Sequence, residues 1–140
     1  MMRSVHTLLI EDCAGDVLLM KQALAEGGVS IKFNVARDGE QALSILSDPD
    51  FKPDLIILDL SVPRVTGLGF LERYRQRDMP IVVFSSSRNS VETQRALELG
   101  ASECFEKPSD LDEFRKVVCG IFVKWVVDDD EAASEGATAS

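Results

Sequence analysis

Little in this chain points to a covalent framework or a redox centre. Its 140 residues include three cysteines, Cys13, Cys104 and Cys119. An odd number without metal-ligand spacing argues against a disulfide scaffold and a zinc site, so free thiols in a reducing compartment are expected. Cys13 stands beside Glu11 and Asp12, an acidic setting unsuited to a reactive thiol. The sole histidine, His6, precedes an apolar run and is expected to be structural or exposed. Basic residues are scarce too, 15 against 24 acidic ones, for a net charge of −9. Five of those acids (Asp128, Asp129, Asp130, Glu131, Glu135) lie in a C-terminal tail without a single base, and removing them leaves a net charge of about −4. An acidic body with no basic stripe argues against nucleic-acid binding. No apolar run approaches the roughly 18 residues a membrane span requires. The start, Met1 to His6, is too short for a signal peptide, and a cytoplasmic location is expected.

What the chain does have is a regular alternation. With 45% apolar and 28% charged residues, it has the composition of one globular domain of ordinary size. Short β-rich runs at about 5–10, 31–36, 54–59, 80–85 and 102–106 alternate with stretches of helical period. The first helical stretch places Val17, Met20, Ala23 and Leu24 on one face. The second, about 39–47, carries Ala42, Leu43 and Leu46. The third is expected over 67–77, with Phe70, Leu71 and Tyr74. The fourth, 90–99, closes at Gly100, a suitable C-terminal glycine. The fifth starts after Ser109 or Asp110 and shows Leu111, Phe114, Val118, Ile121 and Trp125. Five strands alternating with five helices predict an α/β fold with a parallel sheet. Strands one, three and four are almost wholly apolar, as when both faces are covered. Strand two (Ile31, Phe33, Val35) alternates with polar residues and suits an edge. Residues 1–127 form the predicted domain, and 128–140 read as a disordered acidic tail.

Two of the predicted strands run out into acids. Leu8-Leu9-Ile10 runs into Glu11-Asp12, and Leu55-Ile56-Ile57-Leu58 into Asp59. Ile81-Val82-Val83-Phe84 ends at Ser85, and the last strand leads into Lys107-Pro108. In an open parallel sheet the carboxyl ends of the strands form the ligand crevice. Folding would therefore gather three carboxylates, a hydroxyl and an ammonium at one edge. Crowded carboxylates repel unless a cation joins them, which calls for a hard ion such as Mg²⁺. Asp59 is the candidate nucleophile, since a carboxylate can accept a phosphoryl group as an acyl phosphate. Glu11 and Asp12 would supply the ion's other ligands, Lys107 would meet a phosphoryl oxygen, and Ser85 would offer its hydroxyl. Taken singly, each of these residues has an ordinary alternative as solvated loop, turn or backbone partner. Their concentration at one sheet edge carries the functional reading.

From about Val5 to Trp125 the chain resembles the response-regulator receiver domains of bacterial two-component signalling, the CheY-like branch of the flavodoxin-like folds. The likeness rests on Ile10-Glu11-Asp12, on Leu58-Asp59-Leu60-Ser61-Val62-Pro63 with Gly67, on Phe84-Ser85-Ser86, on Gly100-Ala101 and on Lys107-Pro108. It implies a doubly wound, five-stranded parallel sheet of order 2-1-3-4-5 with five helices. It also implies Asp59 as phosphoryl acceptor, with Asp12, Asp59 and the Ser61 carbonyl on Mg²⁺ and Glu11 reaching the ion through water. Lys107 is then the phosphoryl contact and Ser85 the switch hydroxyl, the donor being a histidine of a sensor kinase. A cis Lys107–Pro108 peptide is implied as well. Ser61 and Ser87 fall where the family tunes phosphoryl lifetime, and both are small enough to admit water.

Two positions depart from the pattern. The aromatic residue usual three places before the lysine is Cys104, while Phe105 is expected to face the opposite side of the strand. Readout through shifts of the fourth strand and its following loop is therefore expected in place of an aromatic switch. Thr66 stands where an acid commonly precedes the glycine, a change expected to have little consequence.

Beyond Trp125 no second folded domain fits, so output is expected from the surface of this domain. The window Ile121 to Val127 holds six apolar residues, more than one helix face can hide, and part of it is expected to bury against a partner. The alternative is that Phe122 and Trp125 fold back on the body. Those aromatics, with Pro108 to Phe114, resemble small regulators associated with bacterial phytochrome kinases, which implies homodimers through the last strand and helix. The chain is expected to catalyse nothing beyond its own phosphorylation and dephosphorylation. Alternatives are a phosphorylation-independent pseudo-receiver, against which the full acid set speaks, and an Asp-nucleophile phosphatase, which would need a second Asp where Ser61 stands. A flavodoxin would have its flavin phosphate repelled by Glu11 and Asp12.

Overall fold

Side chains alternate across a strand, and in the central strands of this chain both sets are apolar, so the sheet carries two cores. A computed structural model describes residues 5–28, 30–75 and 78–127, except for the side chains of Val126 and Val127. The acidic tail expected over 128–140 lies outside the described residues. The elements run β1 (Val5–Ile10), α1 (Ala14–Glu26), β2 (Ile31–Ala36), α2 (Gly39–Leu46), β3 (Leu55–Leu58), α3 (Gly67–Arg73), β4 (Ile81–Ser85), α4 (Ser90–Glu98), β5 (Glu103–Glu106) and α5 (Leu111–Phe122). All neighbouring strands pair in parallel, in the order β2-β1-β3-β4-β5. This is the doubly wound topology expected above, with β2 at one edge and β5 at the other.

In β3, Leu55 and Ile57 join Leu9, Met20, Leu24, Phe84, Phe114 and Val118 in one core, on the side of α1 and α5. Ile56 and Leu58 join Leu8, Ile10, Ala42, Phe70, Leu71 and Ala96 in the other, under α2, α3 and α4. At about 25 cal/mol per Å² of apolar surface removed from water, these two layers dominate the stabilisation of the fold. No described helix is long and apolar enough to cross a membrane.

Helix starts are set locally. Asp38, Thr66, Asn89 and Asp110 each accept a backbone N–H from the first turn of the helix they precede, the usual N-cap role. Thr66 thus does the capping work an acid would do there, its Oγ1 accepting from Gly69 N at 3.2 Å. At α1 the cap position is Cys13, which makes no side-chain capping bond. There the Glu11 carboxylate accepts from Cys13 N–H at 3.1 Å, and α1 opens directly onto the ends of β1 and β3.

One expectation needs correction, and one open alternative is answered for its two aromatics. Helix α3 stops at Arg73, short of 77, because Tyr74 leaves helical geometry (φ −99°, ψ 88°) and stacks its ring on Phe70 at 5.5 Å. A further turn would have had Arg75 one turn beyond Leu71, with nothing apolar to bury. At the other end of the chain, α5 passes into a π-helical turn, Val123–Val127. Phe122 is fully buried and meets Phe33 edge-on at 6.2 Å. Trp125 is half-buried, and its indole N–H donates to Glu103 at 3.0 Å. Both aromatics therefore fold back on the body, while Val123 is exposed.

Candidate functional site

Register brings the strand ends level. Ile10 lies opposite Leu58, Leu58 opposite Val83 and Ser85 opposite Glu106. The backbone ladder then runs one step further: Asp59 N–H donates to the Ile10 carbonyl at 3.0 Å, and Lys107 N–H to the Ser85 carbonyl at 2.8 Å. Glu11, Asp59, Ser85 and Lys107 are thereby held at neighbouring positions on one edge. Gly67 closes in from α3. A β-carbon there would stand 2.6 Å from the Leu60 Cα and 2.9 Å from the Asp59 carbonyl oxygen, so only glycine allows this approach. Between them the loop turns at Arg64 with a left-handed φ of 63°.

Asp59 is buried and surrounded by donors. Its Oδ1 accepts from the Ser85 hydroxyl at 2.8 Å and from Ser61 N–H at 3.0 Å. Its Oδ2 accepts from the Lys107 ammonium at 3.1 Å. Burial would raise this carboxyl, but Ser61 N–H, the Lys107 charge and the Ser85 hydroxyl together hold it below the ordinary aspartate range. Glu11 responds in the opposite direction. At 2% exposure, burial pushes its carboxyl up to about 7, although Lys107 donates to it at 2.6 Å. Lys107 is itself inside, and burial alone would lower it. Hydrogen bonds from its ammonium to Asp16 and Glu11 outweigh that and raise it above the usual lysine range.

Glu11, Asp12 and Asp59 each present a carboxylate oxygen within 4.8 Å of the other two. Asp12 is exposed, the other two buried. Three hard oxygen donors at this spacing suit a divalent cation of the Mg²⁺ or Ca²⁺ type, and one open side leaves room for its waters. The donor set therefore fits the ion expected from the sequence. Ser61 lies at the rim, its N–H engaged with Asp59.

All the residues singled out from the strand ends converge here. One neighbour was missed: Asp16, whose Oδ2 accepts from Lys107 Nζ at 2.8 Å. An acid in the first turn of a helix is ordinary dipole compensation, so nothing in the sequence distinguished it. The Lys107–Pro108 peptide is trans, no described peptide bond being cis, which corrects the expectation taken from the family; trans is the lower-energy isomer before proline. Cys104 packs on the α3–α4 side and Phe105 on the α1–α5 side, the opposite facing that strand alternation predicts. Where the aromatic switch would sit, a pocket of about 690 Å³ is lined by Cys104, Ser87, Thr93 and Gln94. From Ser85 a string of hydrogen bonds leads away under α4: Ser87 N–H donates to Ser85 Oγ at 3.3 Å, and Ser87 Oγ to Glu92 at 2.7 Å.

Comparison with known proteins agrees with this geometry. Residues 7–119 match the family described as response regulator receiver domain. The Regulator of RpoS from Escherichia coli (strain K12) is 39% identical over 87 residues, 60% of this chain but only 25% of that protein; the chain thus spans about a quarter of that relative. Among solved structures, the phosphorylated cyanobacterial phytochrome response regulator RcpA is 28% identical and superposes with a TM-score of 0.82 over 89% of this chain and 95% of its own. The Mn²⁺-bound form of response regulator Rcp1 is 27% identical, with a TM-score of 0.79 over 87% and 94%. The chain belongs to the response-regulator receiver domains of two-component signalling.

Proposed function

We propose that this receiver domain takes a phosphoryl group from a histidine of a sensor kinase onto Asp59, and passes the signal on through protein contacts. The observation that carries the reading is the state of Asp59, a buried carboxylate kept ionised by three donors at 2.8–3.1 Å. An ionised oxygen has the electron pair that attack on phosphorus requires. As that oxygen bonds to phosphorus, the phosphorus–nitrogen bond to the donor histidine breaks, its electron pair returns to the imidazole, and the imidazole takes up a proton. Lys107 and Ser85 already address the two Asp59 oxygens, and their donors are aimed where charge grows on the transferring group. Glu11, Asp12, Asp59 and the Ser61 carbonyl would hold Mg²⁺, which when bound offsets the negative charge of the phosphoryl oxygens and aligns donor with acceptor.

The solved relatives titled as phytochrome regulators support a kinase of that class as partner. Support for a homodimer comes from β5, an outer strand bonded only to β4 and flanked by exposed Val123; open strand edges are ready pairing surfaces. Incubation with acetyl phosphate and Mg²⁺ tests the central step by mass spectrometry. One phosphoryl group per chain is expected, absent without Mg²⁺ and absent in Asp59→Asn. Continuous release of phosphate from an unrelated phosphomonoester would instead make the chain a phosphatase.

A further inference from the structure

An ammonium has three protons to donate, and those of Lys107 all have buried or half-buried acceptors: Glu11 Oε1 at 2.6 Å, Asp16 Oδ2 at 2.8 Å and Asp59 Oδ2 at 3.1 Å. The three acceptors are not equivalent. Glu11 and Asp59 belong to the group whose oxygens lie close enough to share a cation, and Asp16 does not. Under the function proposed above, those two carboxylates change partner during phosphorylation. The ammonium would then ride on a flexible four-carbon stem. Beside it lies a pocket of about 400 Å³ lined by Asp16, Leu19, Ser86, Pro108 and Phe114, space into which an unheld side chain can swing.

Given that function, on which the assignment rests, we infer that Asp16 is a positioning residue for phosphoryl transfer. From the first turn of α1 its carboxylate anchors the Lys107 ammonium beside the Asp59 acceptor while Glu11 and Asp59 exchange ligands. Both ends of this tie are rigid. Asp16 sits on α1, which is fixed by buried Met20, Ala23 and Leu24. Lys107 is pinned through its backbone N–H to the Ser85 carbonyl. A carboxylate 26% exposed, outside the cation's reach, keeps its hold on the ammonium whichever ligands the other acids adopt. Two of the three donors are then free for phosphoryl oxygens, from a fixed starting point.

A purely local role, an acid favouring the N-terminus of α1, predicts lost helix stability and nothing at Lys107. Two measurements on the wild type, Asp16→Asn and Asp16→Glu separate the alternatives. In Mg²⁺-saturated protein, where Glu11 and Asp59 turn to the ion, proton–nitrogen spectra of the lysine ammonium groups are expected to show a slowly exchanging Lys107 signal that disappears in Asp16→Asn and persists in Asp16→Glu. With acetyl phosphate at saturating Mg²⁺, the maximal phosphorylation rate is expected to fall about tenfold in Asp16→Asn, with the half-saturating Mg²⁺ concentration unchanged and the rate largely recovered in Asp16→Glu. An unchanged or faster rate in Asp16→Asn, a Lys107 signal indifferent to the substitution, or a shifted Mg²⁺ requirement would each overturn the assignment. If the wild type takes no phosphoryl group at all, the proposed function fails, while the ammonium spectra still decide whether Asp16 holds Lys107.

Discussion

Glu11 bears the cost of crowding carboxylates at the end of the sheet. Its carboxyl is buried next to Asp59, and folding lifts it from the ordinary 4.5 to about 7. The folded state therefore holds this proton more tightly than the unfolded one. Below pH 4.5 both states are protonated and the stabilisation is fully present; it is lost as pH rises towards and through 7. In metal-free protein the loss attributable to Glu11 is on the order of 3 kcal/mol between pH 4.5 and 8. Urea unfolding at pH 5 and pH 8 is expected to show this decline in the wild type and a flatter profile in Glu11→Gln. An equal slope in the two proteins would remove Glu11 as its source. At this scale Glu11, Asp12, Asp59, Ser85 and Lys107 were legible because a strand's last residue must lie at the crevice, whatever the side-chain conformations. Asp16 was not, because its helix position already had a sufficient local reason.

At the scale of elements, the hydrogen bonds running from Asp59 through Ser85 and Ser87 to Glu92 link the proposed acceptor to the start of α4. Asn89 joins the same string, its N–H donating to Ser87 Oγ at 3.3 Å, and it also caps α4. Under the proposed function, a phosphoryl group on Asp59 offers the Ser85 hydroxyl new oxygen acceptors, and Ser87, bonded to Ser85 Oγ, is expected to move with it. Activation is therefore expected to appear as a shift of the β4 end and the 86–89 loop, with Cys104 and Phe105 keeping their rotamers. Crystal structures with and without a phosphoryl mimic test this; a side-chain rotation at 104 or 105 above a static loop would refute it. The facing of Cys104 and Phe105 followed from strand period alone. The early end of α3 did not, because helix periodicity marks residues able to lie on a face without saying where the face ceases to be covered.

For the whole molecule, the question is whether copies meet as the proposed homodimer. Phe122 is buried and Trp125 is bonded to Glu103, so neither aromatic is free for a partner. A dimer through β5 and α5 then depends on the strand edge and on side chains such as Val123 and Leu111. Sedimentation at tens of micromolar is expected to show dimer, weakened by Val123→Glu; monomer throughout would exclude it.

The sequence by itself determined the alternation of strands and helices, the parallel sheet with β2 at its edge, and the acids at its crevice. These follow from hydrophobic period and strand ends, which are local. Only the tertiary structure decided that Asp16 shares Lys107, that burial raises Glu11 while hydrogen bonds lower Asp59, and that the terminal aromatics turn inward. Each of these depends on distances between segments far apart in the chain. Charge–charge energies and burial are set by such distances, and no local pattern encodes them.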